Sequence, residues 1–140
     1  MLATTKDMSN RLFRCGVAAT TADMCYDSGA LSLMDYTSAV HERDSRRENY
    51  EVIPAWSLNR LLELLPKEID IDGYPYRISI YFENPDEPVI GNKWCLYYKP
   101  KKHNEKSSIN DVPMYAPNLI ACAVLMIEWL AENNYKLNEI

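Results

Sequence analysis

Glycine and histidine are scarce in this chain, with four of the first and two of the second among 140 residues. Gly16, Gly29, Gly73 and Gly91 stand too far apart to write either G-x-G-x-x-G or a Walker loop, which excludes the common glycine-rich phosphate cradles. The four cysteines, Cys15, Cys25, Cys95 and Cys122, form no C-x-x-C pair and have no histidine at ligand spacing. A structural zinc site built from local ligand pairs is therefore not expected. Long apolar runs are missing too. The longest, Leu119 to Ile127, is nine residues and is closed by Glu128, whereas a membrane-spanning helix takes about 20. Basic excess is also lacking. The net charge is −5, which argues against bulk binding to nucleic acid or to anionic membranes.

What is present describes an ordinary folded domain. Apolar residues make up 47% and charged residues 25%, a globular composition. The length suits one domain, residues 1–140, with a core that needs no disulfide staples. Met1 to Asn10 is polar and lacks the apolar stretch of a signal peptide. The expectation is a cytoplasmic protein with four reduced thiols used as small core residues.

Local patterns predict the elements. Thr4 or Thr5 caps a helix near Lys6–Cys15, and Gly16 ends it. Asp27-Ser28-Gly29 is a turn signal between Met24–Tyr26 and Leu31–Met34, a weak hairpin. His41 to Glu51 is dense in charge of both signs and reads as a surface loop or a solvated helix. In Pro54-Ala-Trp-Ser-Leu-Asn-Arg-Leu-Leu-Glu-Leu-Leu-Pro66, Ser57 is an N-cap. Leu58, Leu61, Leu62 and Leu65 fall on one helical face, and Trp56 sits where a hydrophobic staple would. Tyr76, Ile78, Ile80 and Phe82 alternate with Arg77, Ser79 and Tyr81, which predicts a half-buried strand. Trp94–Tyr98 predicts another, and Pro113 and Pro117 flank a short connection. Asn118–Asn133 is a helix apolar on more than one stripe, so it lies either under the sheet or against a second subunit. The fold class that follows is α+β: a small, mainly antiparallel sheet with about three helices on one face.

Chemistry-bearing residues are few. His41 and His103 lie in polar, loop-like segments and are expected to be surface residues. Asp70 and Asp72, at i and i+2, would share a strand face, where paired carboxylates could hold a hard cation but more commonly keep an edge strand wet. No catalytic residue, metal ligand or cofactor is assigned. An enzyme would need a site assembled only in space. The charge is uneven, however. Lys67–Ile90 holds two cations against six anions, and Gly91–Lys106 holds five cations against Glu105 alone. The basic stretch, with Lys99, Lys101, Lys102 and Lys106, follows a strand carrying Trp94, Tyr97 and Tyr98. Cations beside exposed aromatics are one way to hold single-stranded nucleic acid. Ten tyrosines and three tryptophans suit protein interfaces as well. Trp129, Met126 and Tyr135, on and just after the last helix, are the candidate interface residues for self-association or a protein partner.

Three blocks carry a resemblance: Lys6–Met24 with its Thr21-Ala-Asp-Met24, the central Ile53–Pro66 block, and Asn118–Tyr135 ending in Trp-Leu-Ala-Glu-Asn-Asn-Tyr. Together they resemble small uncharacterised proteins of prophages and related mobile elements in gut bacteria. That resemblance implies an origin in a mobile element and a bacterial cytoplasm. It implies no activity and carries no site residue over. The expected function is a non-enzymatic interaction protein, with nucleic-acid binding through Lys99–Lys106 as the alternative.

Overall fold

The computed structural model describes residues 1–82, 94–102 and 112–140. The fold is α+β, with four helices and two antiparallel sheets in place of the single sheet and three helices expected. The first sheet has the order β2-β1-β3, built from β1 (Met24–Asp27), β2 (Ala30–Ser32) and β3 (Val52–Ala55). The second runs β4-β5-β6-β7, built from β4 (Glu68–Ile71), β5 (Tyr74–Phe82), β6 (Trp94–Pro100) and β7 (Val112–Ala116).

Two hairpins turn on two residues each. Ser28 and Gly29 have φ of 51° and 87°, and Asp72 and Gly73 have φ of 51° and 84°. Positive φ at both central positions is the type I′ turn, whose twist matches that of the flanking strands. Asp72 is therefore a turn residue, and the expected Asp70/Asp72 pair on one strand face does not exist.

Helix α1 (Lys6–Arg14) starts where Thr5 Oγ1 accepts from the Met8 N–H. Helix α2 (Tyr36–Ser45) takes in the first part of the charged stretch, up to Ser45, where the sequence leaves loop and helix both open. Asp35 caps it, accepting from the N–H and hydroxyl of Ser38, and the Ser38 N–H holds the Asp35 carboxyl below its usual range. His41 is exposed on this helix. Helix α3 (Leu58–Leu64) is capped by Ser57 as the sequence requires. Its buried side is Leu61, Leu64 and Leu65, with Leu58 and Leu62 half-buried at the margin. The helix leaves orphan carbonyls at its end. Asn138 answers them from far along the chain: its N–H donates to Leu64 O, and its Nδ2 to Glu63 O and Leu65 O.

Helix α4 (Leu119–Glu132) resolves the choice between sheet and second subunit. It packs on β6, β7, α1 and α3. Ile120, Cys122, Ala123, Val124, Met126, Ile127 and Leu130 are all buried within the one chain. They meet Tyr76, Leu96, Tyr98 and Ala116 from the inner face of the four-stranded sheet in one core cluster. The Tyr98 hydroxyl, buried at the base of that cluster, donates to Pro66 O at 2.6 Å.

Candidate functional site

The resemblance blocks turn out to be neighbours in space, and their polar residues are spent on one another. The Asp23 carboxylate accepts from the Ser57 N–H at 2.9 Å and from the Ser57 hydroxyl. The Trp56 Nε1–H donates to Thr21 Oγ1 at 2.9 Å, and that hydroxyl donates to Ala18 O at 2.6 Å. Thr4 closes the other side: its N–H donates to Trp56 O, and its Oγ1 accepts from the Trp56 N–H. The Tyr26 hydroxyl donates to Thr4 O at 2.8 Å. Trp56 is thus fully enclosed and hydrogen-bonded at its backbone and ring.

Asp23 and Ser57 make a carboxylate–hydroxyl pair, but the hydroxyl is committed on both sides. It donates to Asp23 and accepts from the Arg60 N–H as the cap of α3. This pair is a joint between β1 and α3. Asp23→Ala is expected to destabilise the fold by about 1–3 kcal/mol, because it strands the Ser57 N–H and removes a charge-assisted bond. Chemical denaturation followed by circular dichroism measures it, and a loss under about 0.5 kcal/mol would show that water replaces the carboxylate without cost.

The thiols are also structural. Burial raises the pKa values of Cys15 and Cys25 and pushes that of Cys122 up to about 11. A neutral thiol is a poor nucleophile and metal ligand. None of the four cysteines forms a disulfide. An open cleft of 410 Å³ between α1 and α4 is lined by Arg11, Arg14, Cys15, Glu128, Ala131 and Glu132. Its central charges, Arg11 and Glu128, already pair with each other through two guanidinium bonds. No cluster of three metal-ligating side chains occurs among the described residues.

The candidate interface residues divide. Met126 is fully buried in the core and offers nothing to a partner, which corrects its assignment to an interface. Trp129 is half-buried and stacks on Tyr135, with ring centroids 5.5 Å apart and planes 17° from parallel. Most of the apolar circumference of α4 is covered inside one chain, with Leu119, Ala121, Leu125 and Trp129 half-buried.

The basic candidates divide as well. Lys106 and His103 lie outside the described residues. Lys101 is bound to Glu68, with Nζ 2.5 Å from Oε1, and that bond holds the Glu68 carboxyl below its usual range. Lys102 is exposed just beyond β6. Lys99 is different, because its strand register gives it company. On β6, Cys95, Tyr97 and Lys99 alternate with the core residues Leu96 and Tyr98, so they occupy the face turned away from α4.

That face is what the sequence reading missed. Tyr81 on β5 and Tyr115 on β7 stand opposite Cys95 from its two sides. Their hydroxyls lie 3.3 Å apart, and the Tyr81 and Tyr97 rings meet edge to face at 5.3 Å. Three adjacent strands thus contribute one tyrosine each to a single cluster over the buried Cys95. Tyr81 is 41% exposed, and Tyr97 and Tyr115 are half-buried. The hydrogen bond to Tyr115, aided by burial, raises the Tyr81 pKa, so the phenol stays neutral across the physiological range. Two residues further along β6, Lys99 stands directly opposite Arg77 of β5, and both are exposed. The signal was available as the spacing Tyr81/Ser79/Arg77 against Tyr97/Lys99. It could not be used without the register that aligns the two strands and the identity of the third strand.

No protein-family model, curated protein or solved structure matches the chain. No helix among the described residues is long and apolar enough to cross a membrane.

Proposed function

We propose that this chain is a non-enzymatic binding protein of mobile-element origin that holds its partner on the open face of the four-stranded sheet. The observation that carries the reading is the cluster of Tyr81, Tyr97 and Tyr115. Tyrosine puts large apolar area and a hydroxyl at a surface with little side-chain entropy to lose, which is why it is enriched where proteins bind. The other face of the same sheet packs on α4 along β6 and β7, while Ile80 and Phe82 of β5 remain exposed on it. The bacterial cytoplasm is the compartment implied by the resemblance and is part of the same proposal.

A photo-crosslinking side chain placed at the surface tests it. Tyr97→benzoylphenylalanine is expected to give a discrete adduct in cells, and Asn10→benzoylphenylalanine, on exposed α1 surface, is expected to give none. Equal labelling from both positions, or none from position 97, removes the sheet face as the binding surface.

A further inference from the structure

We infer that the occupant of this face is single-stranded nucleic acid, bound without sequence preference across β5, β6 and β7; the inference rests on the reading of the sheet face as a binding surface. Two independent features of the face point to this chemistry. The first is its order. Along the outer side of β6, the tyrosine cluster gives way to Lys99, and along β5, Tyr81 gives way to Ser79 and Arg77. Side chains on one face of a strand repeat about every 6.7 Å. Tyr97 and Lys99 are one such repeat apart on β6, and Tyr81 and Arg77 are two apart on β5 with Ser79 between them, so a base lying on the Tyr97 ring can set its phosphate against Lys99. Base–aromatic stacking tolerates every base, because each has a π-face.

The second feature is the charge. Arg77 and Lys99 are directly opposite each other across β5 and β6. Like charges in that relation repel. Neither is in an ion pair among the described residues. The carboxylate nearest in register, Glu68 opposite Arg77 on β4, is already bonded to Lys101. Glu68 also acts on Arg77 through space, so one carboxylate serves both Arg77 and Lys101 while Lys99 adds a third cation, and in a chain of net charge −5 this leaves a local excess of positive charge next to an aromatic platform. An anion seated between them removes the repulsion. A phosphodiester linked to unstacked bases satisfies both features at once, whereas a free anion would use only the cations. Asp70, also on the outer face but on the edge strand β4, repels a phosphate and confines the path to β5–β7. A duplex keeps its bases stacked on one another and engages only the cations, so it should bind more weakly.

Lys101, Lys102 and Lys106 are not required by this arrangement. The site consists of Tyr81, Tyr97, Tyr115, Arg77 and Lys99.

Fluorescence anisotropy with labelled oligo(dT) and oligo(U) 20-mers, at rising salt, tests the inference on the purified full chain. The wild type is expected to bind both at low salt, to bind duplex DNA more weakly, and to lose affinity as salt rises. Tyr97→Ala should weaken binding about tenfold or more, and Tyr97→Phe should retain it. Arg77→Ala with Lys99→Ala should flatten the salt slope by about one per cation removed, while Lys136→Ala, remote on the C-terminal segment, should leave it unchanged. Should Tyr97→Ala melt early, the double cation variant carries the test, since both of its side chains are exposed. No binding of either oligonucleotide by the wild type, or binding indifferent to all of these changes, overturns the inference. A protein adduct from Tyr97→benzoylphenylalanine together with no oligonucleotide binding overturns the nucleic acid and leaves the binding face standing. Failure of both overturns the face as well.

Discussion

Trp56→Ala is expected to remove about 3–5 kcal/mol of stability, a large share of the roughly 5–15 kcal/mol that holds a domain of this kind. Trp56 is the largest fully buried side chain, and it stands where β3 passes into α3. Truncation leaves a cavity that the surrounding backbone cannot close, because the segment is bonded to Thr4 on one side and to Asp23 on the other. It also removes the indole donor from the Thr21 hydroxyl, which keeps its own bond to Ala18 O. Urea unfolding followed by far-ultraviolet circular dichroism reads the loss as a shifted midpoint with an unchanged slope. Trp56→Phe should cost less, since it keeps most of the apolar volume and forfeits the indole hydrogen bond. A loss under about 1 kcal/mol for Trp56→Ala would mean that the enclosure around the indole is not what joins the helical and strand parts of the N-terminal half.

Met126→Ala should destabilise by about 2–5 kcal/mol and leave the oligomeric state untouched. The side chain is wholly enclosed between α4 and its neighbours in the main core cluster, so its deletion opens a void and exposes nothing. Trp129→Ala is the contrasting variant. Its ring is half-buried against Tyr135 on the outside of the helix, and its removal gives up a stacked pair worth about 0.5–1.5 kcal/mol beyond the area it covers. Thermal melts and light scattering on the two variants separate the roles. A Met126→Ala protein of normal stability but altered mass would return this residue to an interface.

The elements with strong local signals were legible before any fold was known. Thr5 and Ser57 cap helices because a hydroxyl one residue ahead of a helical stripe has a free N–H to accept from. Ser28-Gly29 makes a turn because few residues tolerate positive φ in succession, and Asp72-Gly73 makes another where a strand face was expected. β5 and β6 showed themselves by period-two alternation. Two strands escaped, and for α2 the sequence leaves a loop and a solvated helix both open. β3 is four residues inside a block dominated by the helix that follows it. β7 contains Pro113 and borders Pro117, and proline is tolerated there because β7 is the sheet's last strand and has one side free of a ladder. α2 sets only a short stripe, Tyr36, Ala39 and Val40, against its neighbours ahead of a run of charge, too short to establish a period.

The same division runs through the candidate surface. The sequence by itself determined the α+β class, the capped helices, the core character of the last helix and the presence of cations close to aromatics. It did so because those properties depend on neighbours within a few positions along the chain. Only the tertiary structure decided that α4 is covered by its own sheet and that Asp23 and Thr21 are consumed in holding Ser57 and Trp56. It also decided that Tyr81, Tyr97 and Tyr115 form one cluster beside Arg77 and Lys99. Each of these depends on strand order and register, and a shift of one residue in β6 would have turned Tyr97 and Lys99 into the core and left the outer face bare.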